Sequence, residues 1–471
     1  MKKLISVFLC LTLLFSLSSL AFAQEEKQPP VLFVAGMNTR DLIFLDDGSP
    51  AFPPSGDRIK SSILSAIIPL LVNGILMHSW DGAAKALCKA VNGIFEPCKM
   101  RPNTTSLYNV GIEPKPDTDT TSAEVYEQGG EYFFTYDWRY SPLDTADLLN
   151  DRINEILENT GCDKLRIYSH SMGSCVLLSY LEKYGHDKVS KLLFTDSAFQ
   201  GMDFVGELFN GKVHINPDSL TNYVCDMVYG TDYAWVGGLM KFLKAVYLTD
   251  GVCKLANDVL IKNMIDTVCA EMRDFVFMLP GIWSFCPAKD YAACRKFVFG
   301  DTPAEEYRIL VEKNDYYINN VQSKIKDILD SAIADGIGVA ILTAYDRPAI
   351  PIVSSSVNQS DGMVDAKHAS VGATVAPFGK TLGDDYKQAV NCGHNHLSAD
   401  RVVDASTCLY PESTWFIRGI IHHSFGGDVD AFCYWVLDYD GQPTIHSDPK
   451  YPQFFDYDRD TGRLSVLGTA S

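Results

Sequence analysis

The sequence predicts an α/β fold: a mainly parallel central sheet with helices on both faces, carrying a lid and a helical cap as insertions. Three observations lead there. Short apolar runs with β-favouring residues recur at 30–36, 131–136, 164–168, 191–195 and 337–345. Between several of them lie segments with apolar residues at helical spacing, such as Leu149, Ile153, Ile156 and Leu157. Alternating strand and helix periods imply parallel strands joined by crossovers. Finally, Ser169-His170-Ser171-Met172-Gly173 falls where one such strand gives way to a helix, which has Leu177, Tyr180, Leu181 and Tyr184 on one side and Gly185 as a C-cap.

In chain order, the first strand ends at Gly36 and Met37-Asn38-Thr39 opens a loop. Residues 50–125 are irregular and Pro-rich at each end, with apolar helical pieces at 61–77 and 82–94; this stretch reads as a lid. A helix is expected from Asp144 to about Asn159. Residues 201–335 show helical periodicity around 234–248, 252–271 and 316–334, and read as a cap insertion. After the strand 337–345, a further strand is expected at Gln388–Cys392, ending at Gly393-His394-Asn395-His396. A helix at about 412–423 then closes the main domain, 24–425. The tail, 426–471, reads as a β-rich extension with strands at Asp430–Leu437 and Gln453–Val466. Asp456-x-Asp458-x-Asp460 lacks the closing Glu of a calcium loop, since Leu467 stands there, and is expected to be a polar turn.

The chain has 471 residues and a formal net charge of −19. Met1-Lys2-Lys3, the apolar run from Leu4 to Leu20, and Ala21-Phe22-Ala23 read as a secretory signal peptide over residues 1–23, so a secreted, extracellular protein is expected. No later stretch is long and apolar enough for a membrane-spanning helix. The acidic balance argues against nucleic acid as a partner. Cys10 lies in the leader; the other twelve cysteines suggest disulfides, with Cys88–Cys98, Cys286–Cys294 and Cys392–Cys408 as neighbouring pairs and Cys175 as a buried thiol. No Cys/His spacing suggests a zinc site, and no metal or organic cofactor is expected.

The pentapeptide around Ser171 is a near match to the G-x-S-x-G turn that presents a nucleophilic serine, with Ser169 replacing the first glycine. Such a serine needs a base and a group that orients the base, and on a parallel sheet these follow in the order Ser, acid, His. The acid candidates are Asp361 and Asp365, with Asp361 preferred because Gly362 permits a turn after the strand. Later histidines are His368, His394, His396, His422, His423 and His446. Only His394 and His396 lie between an expected late strand and the expected last helix, and His396 is preferred as base. The N–H groups of Met37 and Met172 are the expected oxyanion donors.

With these parts in place, the chain resembles the lecithin:cholesterol acyltransferase family, which includes lysosomal phospholipases and phospholipid:diacylglycerol acyltransferases. The resemblance rests on Val31–Asn38, Tyr136-Asp137-Trp138-Arg139, Ser169–Gly173, Ser360–Val364 and His396-Leu397, with Leu279–Trp283 as an echo of the family's cap. It implies an α/β-hydrolase fold, an acyl-serine intermediate, and a lipid or membrane-surface acyl ester as substrate. It also implies that Cys88 and Cys98 stand where a lid disulfide would lie. No protein partner is predicted. A serine-dependent lipid hydrolase or O-acyltransferase is therefore expected. A general triacylglycerol lipase or carboxylesterase, and a non-catalytic surface protein on a hydrolase scaffold, are the rivals.

Overall fold

Nine strands form the central sheet: β1 (Val31–Val34), β2 (Ala123–Gln128), β3 (Glu131–Tyr136), β4 (Leu165–His170), β5 (Val189–Thr195), β6 (Gly338–Tyr345), β7 (Thr414–Arg418), β8 (Phe454–Asp458) and β9 (Arg463–Val466), in the order β9-β8-β7-β6-β5-β4-β1-β3-β2. The structure, a computed structural model, describes residues 28–113, 123–128, 130–422 and 426–468; the expected signal peptide lies outside them. The seven strands from β3 across to β8 are parallel, and β2 and β9 are antiparallel edges. Strand β1 enters between β3 and β4, so the chain reverses its direction of progress across the sheet there. Loops leaving the carboxyl ends of strands flanking such a switch point make a crevice.

The strand residues alternate between two cores, as the period of two requires. Leu192 and Phe194 of β5 face one side with Val339 and Ile341 of β6, and pack with Val176 and Leu177 of helix α4 (Met172–Tyr184). Leu193, Ala340 and Leu342 face the other side, against Val429, Phe432 and Val436. These last residues belong to helix α8 (Asp428–Asp438).

Six further helices bear on the site and its covers: α1 (Gly56–Leu71), α2 (Trp80–Phe95), α3 (Pro142–Thr160), α5 (Ala234–Ala245), α6 (Leu248–Leu255) and α7 (Lys262–Glu271). Helix α3 shows its ends in its sequence. Ser141 caps it by accepting from the Leu143 N–H, Pro142 takes the first turn, where an N–H has no partner, and Gly161 closes it at φ 66°.

Three expected elements differ. Thr414–Arg418 is a strand, not part of a helix at 412–423; its Thr-Trp-Phe-Ile run is buried throughout, as befits an interior parallel strand. Gln388–Cys392 is not a strand: its residues form a loop pinned by Ala389 N–H to Asp404 and Val390 N–H to Ser406. Asp430–Leu437 is helical, because Val429, Phe432, Cys433, Val436 and Leu437 recur at helical spacing toward the sheet. The tail is thus joined to the sheet itself, through β8, β9 and α8. Asp458 caps the β8–β9 turn by accepting from the Asp460 and Thr461 N–H groups.

The twelve cysteines among the described residues are all thiols. The expected Cys88–Cys98 pair is not formed: Cys88 lies near Glu271 and Cys269, whereas Cys98 lies by Asp137 and Arg139. Cys286 and Cys294 are within hydrogen-bonding reach of one another in the cap. Cys392 is exposed and Cys408 buried.

Asp137 and Arg139, two members of the Tyr-Asp-Trp-Arg run, explain how the insertion at 50–113 is fastened to the sheet. Both side chains are fully buried and form an ion pair at 2.6 Å. The guanidinium also donates to Pro97 O at 3.3 Å, Ser106 Oγ at 2.9 Å and Val110 O at 2.8 Å. Replacing Arg139 by Ala leaves a buried carboxylate and three acceptors without donors, which should cost about 3–5 kcal/mol of unfolding free energy, read from urea unfolding.

Candidate active site

The site is built at the junction of β4 and α4. Ser171 sits there at φ 54°, ψ −123°, a backbone conformation costly for any side chain but glycine's hydrogen. Packing enforces it. A Cβ on Gly173 would lie 2.2 Å from Val34 O and 2.5 Å from Ala35 O, so only glycine lets α4 start this close to β1. Ser169, which replaces the usual first glycine, finds a buried partner: its hydroxyl lies 3.0 Å from Ser174 Oγ, which lies 2.7 Å from Ser197 Oγ.

Ser171 Oγ lies 2.9 Å from His422 Nε2, and His422 Nδ1 lies 2.6 Å from Asp361 Oδ2. Serine can donate to Nε2 while Nδ1–H donates to the carboxylate. Asp361 is held for this by the Met363 and Val364 N–H groups, each donating to Oδ1 at 2.8 Å. The loop that carries His422 is tied to the same residue, since the His422 N–H donates to Asp361 O at 2.9 Å. Ser171 is 5% exposed and His422 8%. The residues thus meet in the order nucleophile, base, orienter, with little water around them.

His396, the base expected from sequence, is elsewhere. It is buried at 0% exposure, with Nδ1 2.7 Å from Gln453 Oε1 and Nε2 3.1 Å from Glu412 Oε1. His394 contacts the same Glu412. The expected helix at 412–423 places the last strand before His394; in the structure Thr414–Arg418 is strand β7, and the loop after it delivers His422. The buried Thr-Trp-Phe-Ile run was the signal available. Asp365, the second acid candidate, points into a separate network, accepting from Asn358 Nδ2 and from the Asp203 N–H.

Met172 is the first residue of α4, so its N–H has no acceptor within the helix. Met37 follows Gly36, where an added Cβ would stand 3.2 Å from Ser171 Cβ. Both expected oxyanion donors therefore flank the nucleophile. The segment at Gly281 packs against Met172: Gly281 N–H donates to Arg139 O at 3.1 Å, and a Cβ on Gly281 would sit 2.0 Å from Trp138 O and 2.9 Å from Met172 Cε.

One buried group at the site is not among the residues expected from sequence. Asp196 follows β5 directly, and one of its oxygens lies within 4.8 Å of the His422 and Asp361 ligand atoms. Its Oδ1 accepts from Ala344 N–H at 2.7 Å. Burial, and then the Asp361 carboxylate, push its pKa up to about 8. Its place immediately after the strand 191–195 was the signal that could have found it.

Such an elbow, with histidine and aspartate delivered by successive later strands, defines an α/β hydrolase. Residues 126–215 match the family model described as lecithin:cholesterol acyltransferase. That segment holds both the Tyr136–Arg139 run and the Ser169–Gly173 elbow, and over it the chain resembles this family. No curated protein matches. Among solved structures, the lin2722 gene product of Listeria innocua shares 11% identity over 92% of this chain and 99% of its own, with a TM-score of 0.28. The Tle4–Tli4 complex gives 12% identity over 67% and 75%, TM-score 0.25, and a thermophilic esterase from Thermogutta terrifontis 12% over 64% and 90%, TM-score 0.16. At these scores the fold rests on the strand order and the elbow, not on the likenesses.

Burial disfavours the charged form of His422, but the Asp361 carboxylate and its hydrogen bond outweigh it and raise the pKa above the ordinary 6.5. A protonated His422 cannot take the serine proton, so a serine-dependent activity should be lost as pH falls through that raised value. The acid limb of kcat/KM on an ester should therefore have its midpoint above pH 6.5; a midpoint below 6.5 would contradict the geometry.

Proposed function

We propose that the protein hydrolyses acyl esters of lipids through an acyl-serine at Ser171. The observation that carries this reading is the run of two hydrogen-bonded contacts, Ser171 to His422 and His422 to Asp361. In the proposed reaction His422 Nε2 takes the Ser171 proton as Oγ attacks the ester carbonyl. The tetrahedral oxyanion is held by the Met37 and Met172 N–H groups. The imidazolium, stabilised by Asp361, returns the proton to the leaving alkoxide, and water, activated by the same histidine, releases the acid.

Support for a lipid substrate comes from the lid and cap surface. Helix α1 exposes Ile63, Leu64, Ile67 and Ile68, the last at 70%. Cap helices α5 and α6 expose Trp235, Phe242, Leu248 and Val252. Lid and cap are packed together: Ala83 and Ala84 of α2 cluster with Met264 of α7, and Thr267 Oγ1 donates to Asp81 at 2.9 Å. Exposed apolar area on this scale suits an aggregated substrate surface. The match to the lecithin:cholesterol acyltransferase model over 126–215 agrees with an acyl lipid.

Hydrolysis is proposed as the main outcome rather than transfer to an alcohol. The cap aromatics that would have lined an acceptor site are packed among themselves: Phe277 and Trp283 both contact Phe209, at ring-centroid distances of 5.0 and 4.7 Å. The leader at 1–23 supports secretion, with the enzyme acting outside the cell.

The test is a panel of phospholipid and neutral-lipid esters, presented as vesicles or emulsions beside a soluble short-chain ester, with free fatty acid and any new ester separated. Fatty acid release from one lipid class is expected. Leu64→Ser with Ile68→Ser should lower the rate on vesicles about tenfold or more and leave the soluble ester within about twofold. Equal losses on both substrates would overturn the surface role of α1, and no turnover of any ester would overturn the hydrolase reading.

A further inference from the structure

A cluster of metal-ligating side chains lies at the other end of the sheet from Ser171. Cys392, His394 and His396 occupy one loop, in the spacing Cys-x-His-x-His, and Glu412 stands just before β7. One ligand atom from each of these four residues lies within 4.8 Å of all the others. Zinc bond lengths of about 2.0–2.3 Å give a tetrahedron with edges of roughly 3.3–3.8 Å, so an ion would draw the four atoms together by about an ångström.

The hydrogen bonds around His396 fix which of its ring nitrogens faces the cluster. Gln453 Nε2 donates to Pro411 O at 2.7 Å and Thr414 O at 3.0 Å, which fixes the amide with Oε1 toward the histidine. Nδ1 of His396, 2.7 Å from that oxygen, must carry its proton. A neutral His396 then presents the Nε2 lone pair to the Glu412 carboxylate at 3.1 Å, two acceptors face to face. A fully buried imidazolium or a metal ion relieves this. An outer amide that sets the tautomer of a histidine is also the arrangement that supports a metal-ligating imidazole.

The same carboxylate is approached by two more imidazoles. His394 Nδ1 lies 2.8 Å from Glu412 Oε1, and His446 Nε2 lies 2.8 Å from Oε2. The loop is shaped toward them: Gln388 Oε1 accepts from the His396 N–H at 2.6 Å while its Nε2 donates to His394 O at 3.0 Å.

We propose that Cys392, His394, His396 and Glu412 bind a zinc ion, which pins the 388–396 loop to the amino ends of β7 and β8. One thiolate, two imidazoles and one carboxylate complete a tetrahedron, so the site is closed and structural. It takes no part in ester chemistry, because His422 is carried by the opposite end of β7. Binding releases the Cys392 thiol proton and any proton held on His396 Nε2; nothing is oxidised or reduced.

The test uses the full chain, stripped with chelator and dialysed. Zinc content by elemental analysis should return to one ion per chain on adding zinc, with a rise in Tm. Cobalt(II) in its place should give the intense visible bands of a tetrahedral site and a thiolate-to-cobalt charge-transfer band. Cys392→Ser should abolish the charge-transfer band and weaken zinc binding at least about 100-fold. His394→Ala should weaken binding similarly, and both variants should keep soluble-ester activity. The proposal is overturned by sub-stoichiometric zinc, by a weak octahedral cobalt spectrum, by unchanged binding in Cys392→Ser, or by a native disulfide at Cys392. These readouts are independent of ester turnover.

Discussion

The approach of α4 to β1 is the constraint on which the site depends. Where Gly173 meets the carbonyls of Val34 and Ala35, no other side chain fits. The contact forces the turn to be completed in one residue, and Ser171 pays for that with an unfavourable backbone conformation. The strain is offset by packing: Met172, Cys175, Val176 and Leu177 are all fully buried behind it. The outcome is a hydroxyl aimed away from the sheet, beside an N–H that the helix cannot satisfy.

Everything else in the site is positioned relative to that hydroxyl by the sheet. Neighbouring strands β4, β5, β6 and β7 end at the same edge, so the residues that follow them converge from distant parts of the sequence. Asp361 is 61 residues from His422, and His422 is 251 from Ser171. The buried carboxyl of Asp196 follows from the same geometry, and it places a second acidic group by the histidine. The Asp137–Arg139 pair does for the insertion at 50–113 what Gly173 does for the elbow: it ties it to the end of β3 through a buried guanidinium that also donates to Pro97, Ser106 and Val110.

The parallel strands, the elbow and the acid loop were legible in the sequence because each is local. A run of buried residues, a turn with its glycine, and an Asp-Gly in the loop after a strand are all short patterns. The histidine did not, because its position depends on whether Thr414–Arg418 is strand or helix. Five mostly apolar residues fit either period, and the choice is made by the slot beside β6. The same ambiguity turned Asp430–Leu437 from helix into expected strand. The cysteine pairings, and the meeting of Glu412 with the Cys392-x-His394-x-His396 run, were illegible for another reason. Both depend on which loops the sheet brings together, and no local pattern encodes that.

The central claim is that Ser171 is activated by His422. The most direct measurement is the rate at which a fluorophosphonate labels the protein, with the adduct located by peptide mass spectrometry. Activation by His422 predicts a single adduct on Ser171, and a labelling rate lowered by about 10³-fold or more in His422→Ala, with circular dichroism unchanged. Labelling of His422→Ala at the wild-type rate, or an adduct on a residue other than Ser171, would contradict it.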